Sequence, residues 1–361
     1  MSDIRCPLKE AAHISMNQEA VIGKDGALLY SEYEQCVDAA AQLLRRRGCR
    51  PGDGVALAVD PDWRLPILVL AVLRAGGRVC PLQSGIPSAH LQSLMDAADC
   101  SFVVSEMTAP AGFSGTVLRP EDLTGYTAPF VKGAFPLMPL GRPASVYFDL
   151  DAEGRRRALL FSYGNHYYSA RSANDRMSLR SGDRILLSTP PWRVESLNTI
   201  FRAVLSGAAL VVPGDMTDVG SAVQKYGVTH LVLTPVQYGK LSAGFAEGMF
   251  PSLKSILICG EPEPEVKTPA MRGLRVFSSF ILPEMSSFVS AGETGRPALP
   301  LRFGEVKISA DGKIMVRGET LFMGYLDGKH VVCPVDADGW FETACRGTLD
   351  LNGGLAAGDM A

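Results

Sequence analysis

Short apolar segments of strand length alternate with segments of helical spacing along most of this chain. Residues 55–59 and 230–234 are apolar runs with the length of buried strands. Residues 65–75 and 196–206 have the length and apolar spacing of helices, and the first of these stops at Gly76. Strands that alternate with helices at this distance predict doubly wound, mostly parallel sheets, so the predicted fold class is α/β.

Changes in composition divide the chain into three predicted regions. Residues 108–143 are rich in Pro, Gly and Thr and are expected to link two lobes. Residues 305–317 alternate around an Asp-Gly turn, which predicts a β-hairpin. We therefore predict a first α/β lobe over 1–143, a second α/β lobe over 144–303, each with helices on both faces of its sheet, and a small β-rich subdomain over 304–361.

Two short polar patterns predict structural roles, helix capping and packing, and not catalytic ones. Ser31 and Glu34 form a capping-box pattern, which predicts that a helix begins at Ser31. Ser162 and His166 are too close in sequence to indicate a hydrolase triad. We expect His166 to cap or pack against the helix that follows Asn165.

Composition excludes several classes of function. The chain has 361 residues and a net charge of −3, which gives no electrostatic footprint for nucleic acid or an anionic membrane. Its longest apolar run, residues 65–73, is too short to cross a bilayer, and no signal-peptide pattern opens the chain. The eight cysteines include no CxxC pair, which disfavours zinc sites and redox dithiols. We expect free thiols in a cytoplasmic protein.

Several segments resemble, in order, those of one enzyme family. They are Leu-Tyr-Ser-Glu-Tyr at 29–33, Arg-Pro-Gly-Asp at 50–53, Ala-Val-Leu-Arg-Ala-Gly-Gly at 71–77 and Gly-Trp-Phe-Glu-Thr at 339–343. Together they resemble the large N-terminal domain of adenylate-forming enzymes: acyl-CoA synthetases, amino-acid adenylation domains and luciferases. Residues 162–170 look most like the o-succinylbenzoate–CoA ligase branch, as do 183–187 and 201–202.

The resemblance implies a chemistry and a set of site residues. Members of this family join a carboxylate to the α-phosphate of ATP and then pass the acyl group to a thiol. For an active member it implies ATP with Mg²⁺ and CoA as cofactors. The residues it implies are Arg155, Arg157 and Glu284 as catalytic groups, Glu284 also as the Mg²⁺ ligand if ATP binds, and Gly154, Ser279 and Thr343 as cofactor-binding groups.

The substrate pocket implied by the resemblance contains Trp192, Arg193, Cys259 and Gly260. Arg193 stands where family members carry a histidine, and the paired glycines expected beside Cys259 are reduced to Gly260. These residues are candidates to contact an anionic or aromatic ligand, and simple packing is an equal alternative for Trp192 and Arg193.

The ATP-side motifs depart from the family pattern. The phosphate loop carries Asp149, Asp151 and Glu153 in place of its hydroxyls and first glycine, and acids facing a triphosphate add repulsion. Pro283 replaces a threonine and supplies neither a hydroxyl nor an amide hydrogen. Cys345 stands at the carboxylate position of the ribose motif and cannot accept two strong hydrogen bonds from a diol.

These departures lead to three hypotheses. The first is a degenerate acyl-CoA-ligase-like adenylation domain that has no cofactor of its own and binds a small acyl or aryl carboxylate, or a partner, in the former cleft. The second is an active AMP-forming acid–CoA ligase of the o-succinylbenzoate type. The third is a non-catalytic partner of a related ligase, in a homo- or hetero-oligomer. Family members continue into a mobile C-terminal domain, and we expect that domain to be absent from a chain that stops at Ala361.

Overall fold

The computed structural model describes residues 3–108, 112–127, 135–151, 153–215, 217–245, 248–259 and 273–360. Within these ranges the α-helices are α1 (Pro7–Ile14), α2 (Tyr30–Arg46), α3 (Arg64–Ala75), α4 (Ser88–Ala97), α5 (Pro120–Thr124), α6 (Tyr163–Met177), α7 (Val194–Ser206), α8 (Val219–Tyr226) and α9 (Pro235–Ser242). A single 3₁₀ turn spans Pro283–Met285.

The strands are grouped here by chain order. The first ten are β1 (Asp3–Arg5), β2 (Glu19–Ile22), β3 (Ala27–Leu29), β4 (Gly54–Ala58), β5 (Arg78–Pro81), β6 (Cys100–Ser105), β7 (Thr116–Leu118), β8 (Leu137–Pro139), β9 (Pro143–Leu150) and β10 (Arg156–Ser162). The others are β11 (Arg184–Leu186), β12 (Ala209–Val211), β13 (His230–Leu233), β14 (Ser255–Cys259), β15 (Arg275–Leu282), β16 (Ser287–Glu293), β17 (Leu299–Pro300), β18 (Gly304–Ile308), β19 (Lys313–Gly318), β20 (Gly324–Asp327), β21 (His330–Val332), β22 (Phe341–Leu349) and β23 (Leu355–Met360).

Two large sheets and one small sheet carry the fold, and β1 and β8 pair separately as a two-stranded sheet. The first has the strand order β21-β20-β10-β9-β5-β4-β6-β7, and the second β17-β16-β15-β14-β13-β11-β12-β2-β3. In both, the central strands are parallel and the outer strands at one end or both are antiparallel. The small sheet, β18-β19-β22-β23, is antiparallel throughout. The predicted α/β class with a small β-rich C-terminal subdomain is confirmed.

Helices cover both faces of the large sheets, as expected for doubly wound folds. The main apolar core packs α1, α2, α3, α6 and α7 between the two sheets. Helix α4 covers the other face of the first sheet, and α8 and α9 cover the other face of the second. Helix α3 ends where the sequence predicts, since Gly76 at its C-terminus has φ +104° and approaches Pro51 closely.

The strands of the two large sheets are interleaved along the chain. β2 and β3 pair in the second sheet although they precede residue 143, while β10 follows residue 143 and pairs with β9 in the first sheet. Strands β20 and β21, from the predicted C-terminal subdomain, extend the first sheet. Neither large sheet is therefore formed by one continuous range of the chain. That the chain folds as separate units divided after residues 143 and 303 stays a prediction.

The predicted start of α2 is wrong by one residue. The helix begins at Tyr30, and the Glu32 carboxylate accepts the backbone N–H of Leu29 at 2.8 Å. Glu34, expected to cap, instead pairs with Arg74 of α3 at 2.6 Å, and both side chains are largely buried. A tertiary ion pair has replaced the local cap, because a buried arginine requires a charged partner.

None of the helices in the described ranges combines the length and the apolar character that a membrane crossing requires.

Candidate functional site

A cavity of about 100 Å³ opens where the two large sheets face each other. Strands β9 and β10 supply one wall, and the start of α7 and the end of β15 supply the other. Its volume is below the roughly 300–1,000 Å³ of usual small-molecule pockets. The lining residues are Tyr147, Phe148, Asp149, Leu159, Phe161, Trp192, Arg193, Val194, Glu195, Ile281 and Pro283.

The cavity brings together two predicted pocket residues and two carboxylates. Trp192 and Arg193, two residues of the predicted substrate pocket, line it next to Asp149 and Glu195. Burial raises the pKa of the Asp149 carboxyl, against the opposing effects of a backbone N–H and the Arg193 charge. The Tyr147 hydroxyl is buried and has no hydrogen-bond partner among the described residues. Positively and negatively charged side chains therefore line the same small cavity.

The charged side chains of the hairpin between β9 and β10 pair with one another. The Asp151 carboxylate accepts the backbone N–H of Arg155 at 2.7 Å and its Nε–H at 2.8 Å. It also pairs with Arg157 at 3.2 Å, and Glu153 pairs with Arg155 at 2.9 Å. Gly154 has φ +73° at the tip, a conformation that glycine adopts without strain. The two predicted phosphate-side arginines thus already have carboxylate partners.

Glu284 is joined to this hairpin through Tyr325 of β20. The Tyr325 hydroxyl donates to Glu284 Oε1 at 2.7 Å, and the Arg157 guanidinium lies 5.0 Å from the centre of the Tyr325 ring. Burial raises the pKa of the Glu284 carboxyl, and the Tyr325 hydrogen bond and Arg157 charge act against that rise. The three predicted catalytic groups, Glu284, Arg155 and Arg157, therefore belong to one network built on Asp151 and Tyr325.

A buried arginine lies deeper on the same helix as Glu195. Arg202 of α7 is 0 % exposed, and its Nη1 is 3.4 Å from Thr199 Oγ1. Its Nε and Nη2 have no hydrogen-bond partner among the described residues. The guanidinium carbon lies 4.7 Å from the centre of the Phe288 ring. Burial lowers the pKa of Arg202 to about 10, so the side chain remains a cation near neutral pH.

Cys259 lies at the end of β14, within electrostatic range of that cation. Burial raises the pKa of its thiol, Glu195 adds to the rise, and Arg202 and Arg193 oppose it. A raised pKa disfavours the thiolate, so Cys259 is not a nucleophile. It packs in a buried apolar cluster and is not among the residues that line the cavity. Gly260, the fourth predicted pocket residue, lies outside the described residues.

The two hydroxyl groups predicted to bind a cofactor, on Ser279 and Thr343, donate hydrogen bonds to backbone carbonyls of the chain. Ser279 of β15 donates to the carbonyl of Ile258 at 2.6 Å, and Thr343 of β22 donates to the carbonyl of Ile314 at 2.8 Å. Thr343 also accepts the backbone N–H of Cys345 at 3.1 Å. Both hydroxyls therefore hold neighbouring strands together.

Sequence comparison assigns the chain to a family. The sequence pattern of the family described as "AMP-binding enzyme" matches residues 8–125 and 153–326, more than half of the chain. The chain is a member of the AMP-binding enzyme family. The resemblance to adenylate-forming enzymes is confirmed.

Individual relatives point to one branch of the AMP-binding enzymes. The chain is 23% identical over 370 residues to a 2-succinylbenzoate–CoA ligase of Bacillus pumilus, covering 96% of this chain and 76% of that one. Its fold matches o-succinylbenzoate coenzyme A synthetase (MenE) of Bacillus subtilis in complex with AMP, with a TM-score of 0.86, 21% identity and 99% of each chain covered. It also matches wild-type E. coli MenE with a bound analogue of OSB-AMS, with a TM-score of 0.82 and 25% identity over 98% of this chain and 77% of that chain. Within the AMP-binding family, the chain is therefore like the acyl-CoA ligases.

Three residues of the charged networks described above are missing from the predicted site. Tyr325 carries no motif signal that distinguishes it from a core aromatic. Arg202 enters the prediction only through the resemblance of residues 201–202, and an arginine inside an apolar helix is the signal that could have singled it out. Asp151 is predicted to repel phosphate, but its pairing with Arg155 and Arg157 depends on the hairpin register, which places Arg157 opposite Asp149.

No group of three or more His, Cys, Asp or Glu side chains suited to a metal ion occurs among the residues that the structure describes.

Proposed function

We propose that this AMP-binding family member binds a small organic carboxylate in its cleft and does not activate it with ATP. The observation that supports this is that every charged group implied for the ATP side has a partner inside the chain. Arg155 and Arg157 pair with Asp151, and Glu284 accepts a hydrogen bond from Tyr325. A triphosphate would have to displace Asp151, and Mg²⁺ would have to compete with Tyr325 for Glu284.

Arg202 supports a carboxylate as the ligand. A buried guanidinium with two unpartnered nitrogens is costly unless an anion meets it, because burial removes the hydration of the charge. Arginine also binds carboxylates through two parallel N–H bonds. Arg202 lies two turns along α7 from Glu195, which lines the cavity. The two residues are therefore roughly 10 Å apart along the helix axis. Because Arg202 is 0 % exposed and does not line the cavity of about 100 Å³, an acid whose anionic end reaches Arg202 has to be elongated and has to open the packing beyond Glu195.

The alternative is an active AMP-forming acid–CoA ligase. It is supported by the likeness of almost the whole chain to 2-succinylbenzoate–CoA ligases and by Glu284, which remains in the cleft. The two functions differ in one measurable property, the binding of Mg-ATP.

Isothermal titration calorimetry tests the proposal. We expect no binding of Mg-ATP at micromolar to low millimolar concentrations, and micromolar binding of at least one acid from a panel of aryl and acyl carboxylates that includes o-succinylbenzoate. Replacing Arg202 with Met should weaken the binding of that acid at least tenfold, because the positive charge that pairs with the carboxylate is lost.

The matched control is Arg302→Met, which removes an exposed arginine that pairs with Asp175 on the surface. It should leave the affinity unchanged. Micromolar Mg-ATP binding, or pyrophosphate exchange that depends on added carboxylate, would establish the active ligase instead.

A further inference from the structure

The Asp151 carboxylate occupies a complete anion-binding site. Backbone N–H groups of Glu153 and Arg155 donate to its Oδ1 at 3.1 and 2.7 Å. The guanidinium groups of Arg155 and Arg157 meet its Oδ2 at 2.8 and 3.2 Å. Converging backbone N–H groups with arginine side chains are the arrangement that proteins use to bind phosphate oxygens.

The Asp151 carboxylate is buried, whereas the two arginines that pair with it are exposed to solvent. The Asp151 side chain is 5 % exposed, against 69 % for Arg155 and 41 % for Arg157. Removal from water favours the protonated form of Asp151, but the hydrogen bonds and charges of the two arginines outweigh it and lower the pKa of the carboxyl. The carboxylate is therefore ionised and is the inner member of the cluster.

Arg157 is held in place by a second contact. Its guanidinium stacks on the Tyr325 ring, and Tyr325 is held by its hydrogen bond to Glu284. Arg157 and Tyr325 also line an open groove of about 610 Å³ beside the hairpin, with Arg156 at its edge. Loss of the Asp151 charge would therefore leave Arg157 in position and reachable from solvent.

We propose that Asp151 is an internal counter-ion that closes this anion site to inorganic and nucleoside polyphosphates. The two guanidinium groups of the site stay in place when the Asp151 charge is removed, while the two backbone N–H groups hold the turn, and the unpaired guanidinium groups then bind a polyphosphate. This inference rests on the proposed function, since it names the residue that excludes phosphate from the hairpin. It assigns the exclusion to one carboxylate and not to the missing Ser and Thr hydroxyls.

The decisive variant is Asp151→Asn, with inorganic tripolyphosphate as the probe. Asparagine keeps an oxygen for the two backbone N–H groups, so the turn is preserved while the negative charge is lost. We expect tripolyphosphate to bind the variant at least tenfold more tightly than it binds the unmodified protein, with an affinity that falls as salt is added. A second variant, Asp151→Ser, retains a smaller acceptor and should show the same gain.

Two controls separate this role from a purely structural one. Glu153→Gln removes the more exposed acid, which among the described residues pairs with Arg155 alone, and this variant should not bind tripolyphosphate more tightly. Asp151→Asn combined with Arg157→Gln should lose most of the gained affinity.

Each result has a distinct meaning. If folded Asp151→Asn and Asp151→Ser bind tripolyphosphate no better than the unmodified protein, the inference is overturned. It is also overturned if Glu153→Gln gives the same gain. Micromolar binding of Mg-ATP to the unmodified protein would refute the proposed function, whereas its absence together with a failed gain in the variants would refute this inference alone.

Discussion

At the scale of the residue, His166 shows how completely this cleft region is desolvated. Its Nδ1 lies 2.9 Å from Asn198 Oδ1 and its Nε2 lies 2.6 Å from Ser145 Oγ. Asn198 donates its amide to the carbonyl of Ser286, so its oxygen faces the imidazole and accepts from Nδ1–H. Burial lowers the pKa of His166 and so favours the neutral ring, in which Nε2 accepts a hydrogen bond from the serine hydroxyl. The resemblance of this arrangement to a catalytic triad is formal, because His166 and Ser145 are both 0 % exposed.

We expect His166 to make the protein less stable in mild acid. Burial lowers the pKa of His166 from 6.5 to about 4, although the Asn198 hydrogen bond acts against the shift. Between these two pKa values the unfolded chain binds a proton that the folded chain does not. The free energy of unfolding therefore falls as pH falls from about 6.5 towards 4, and it loses about 2 kcal/mol between pH 7.5 and 5 through this group.

Urea unfolding at pH 7.5 and pH 5 measures that loss. The His166→Gln variant should be less stable at pH 7.5 but should lose about 2 kcal/mol less than the unmodified protein on acidification. The exposed His330 provides the matched control, and His330→Gln should keep the original pH dependence. Equal acid sensitivity in all three proteins would assign the effect to other groups.

Sequence reasoning could select candidate pocket residues where a motif fixes their place in the chain. Trp192 and Arg193 follow a family segment, and both line the cavity. The environment of Arg202 could not be inferred, because its burial depends on Phe288 from a strand far along the chain. The partners of Glu284 were missed for the same reason, since Tyr325 reaches it only through the pairing of β20 with β10.

At the scale of the element, the start of α6 joins the first sheet to the C-terminal region. Asn165 accepts the backbone N–H of Ser162 at 2.7 Å and so completes a capping box. Its amide donates to the carbonyls of Glu319 and Leu321 at 2.8 and 2.7 Å. One side chain thus caps α6 and fixes the segment that leads into β20.

Replacing Asn165 with Asp should destabilise the protein by about 2–4 kcal/mol at neutral pH. The shape and the cap acceptor are kept, but a carboxylate oxygen then faces two carbonyl oxygens, which is repulsive. Thermal or urea unfolding measures the loss. The control Asn17→Asp makes the same change at an exposed position and should alter stability by less than about 0.5 kcal/mol. A similar small effect at Asn165 would show that the amide bonds contribute little.

Element type was predictable from periodicity, whereas the choice of cap was not. The alternation of apolar runs indicated the central strands, and Gly76 indicated the end of α3. The Ser31–Glu34 pattern failed because Glu34 is drawn to Arg74, forty residues away in sequence. Local rules identify residues able to cap, but a buried charge elsewhere decides which of them is free to do so.

At the scale of the whole molecule, the order of strands couples the sheets. β2 and β3 cross into the second sheet, β10 returns to the first, and β20 and β21 reach the first sheet from between β19 and β22. Sequence reasoning placed each lobe in a continuous range, because a change of composition marks a loop but carries no information on which strands pair across it. The main apolar cluster contains residues of the two large sheets and of the small sheet, including Val55, Ile185 and Val316.

This coupling predicts that the three sheets unfold in one transition. Lys307 and Arg317 both lie against the Trp340 ring, which therefore reports on the small sheet, whereas Trp63 lies beside Gly23 at the end of β2 in the second sheet. In variants that keep only one of these tryptophans, the fluorescence midpoints in urea should coincide with each other and with the far-ultraviolet circular dichroism, as two-state unfolding requires. A lower midpoint for Trp340 alone would instead support a separate folding unit over 304–361. Because β20 and β21 lie within that range and pair with the first sheet, such early unfolding would also release Tyr325 from Glu284 and open the network around Asp151.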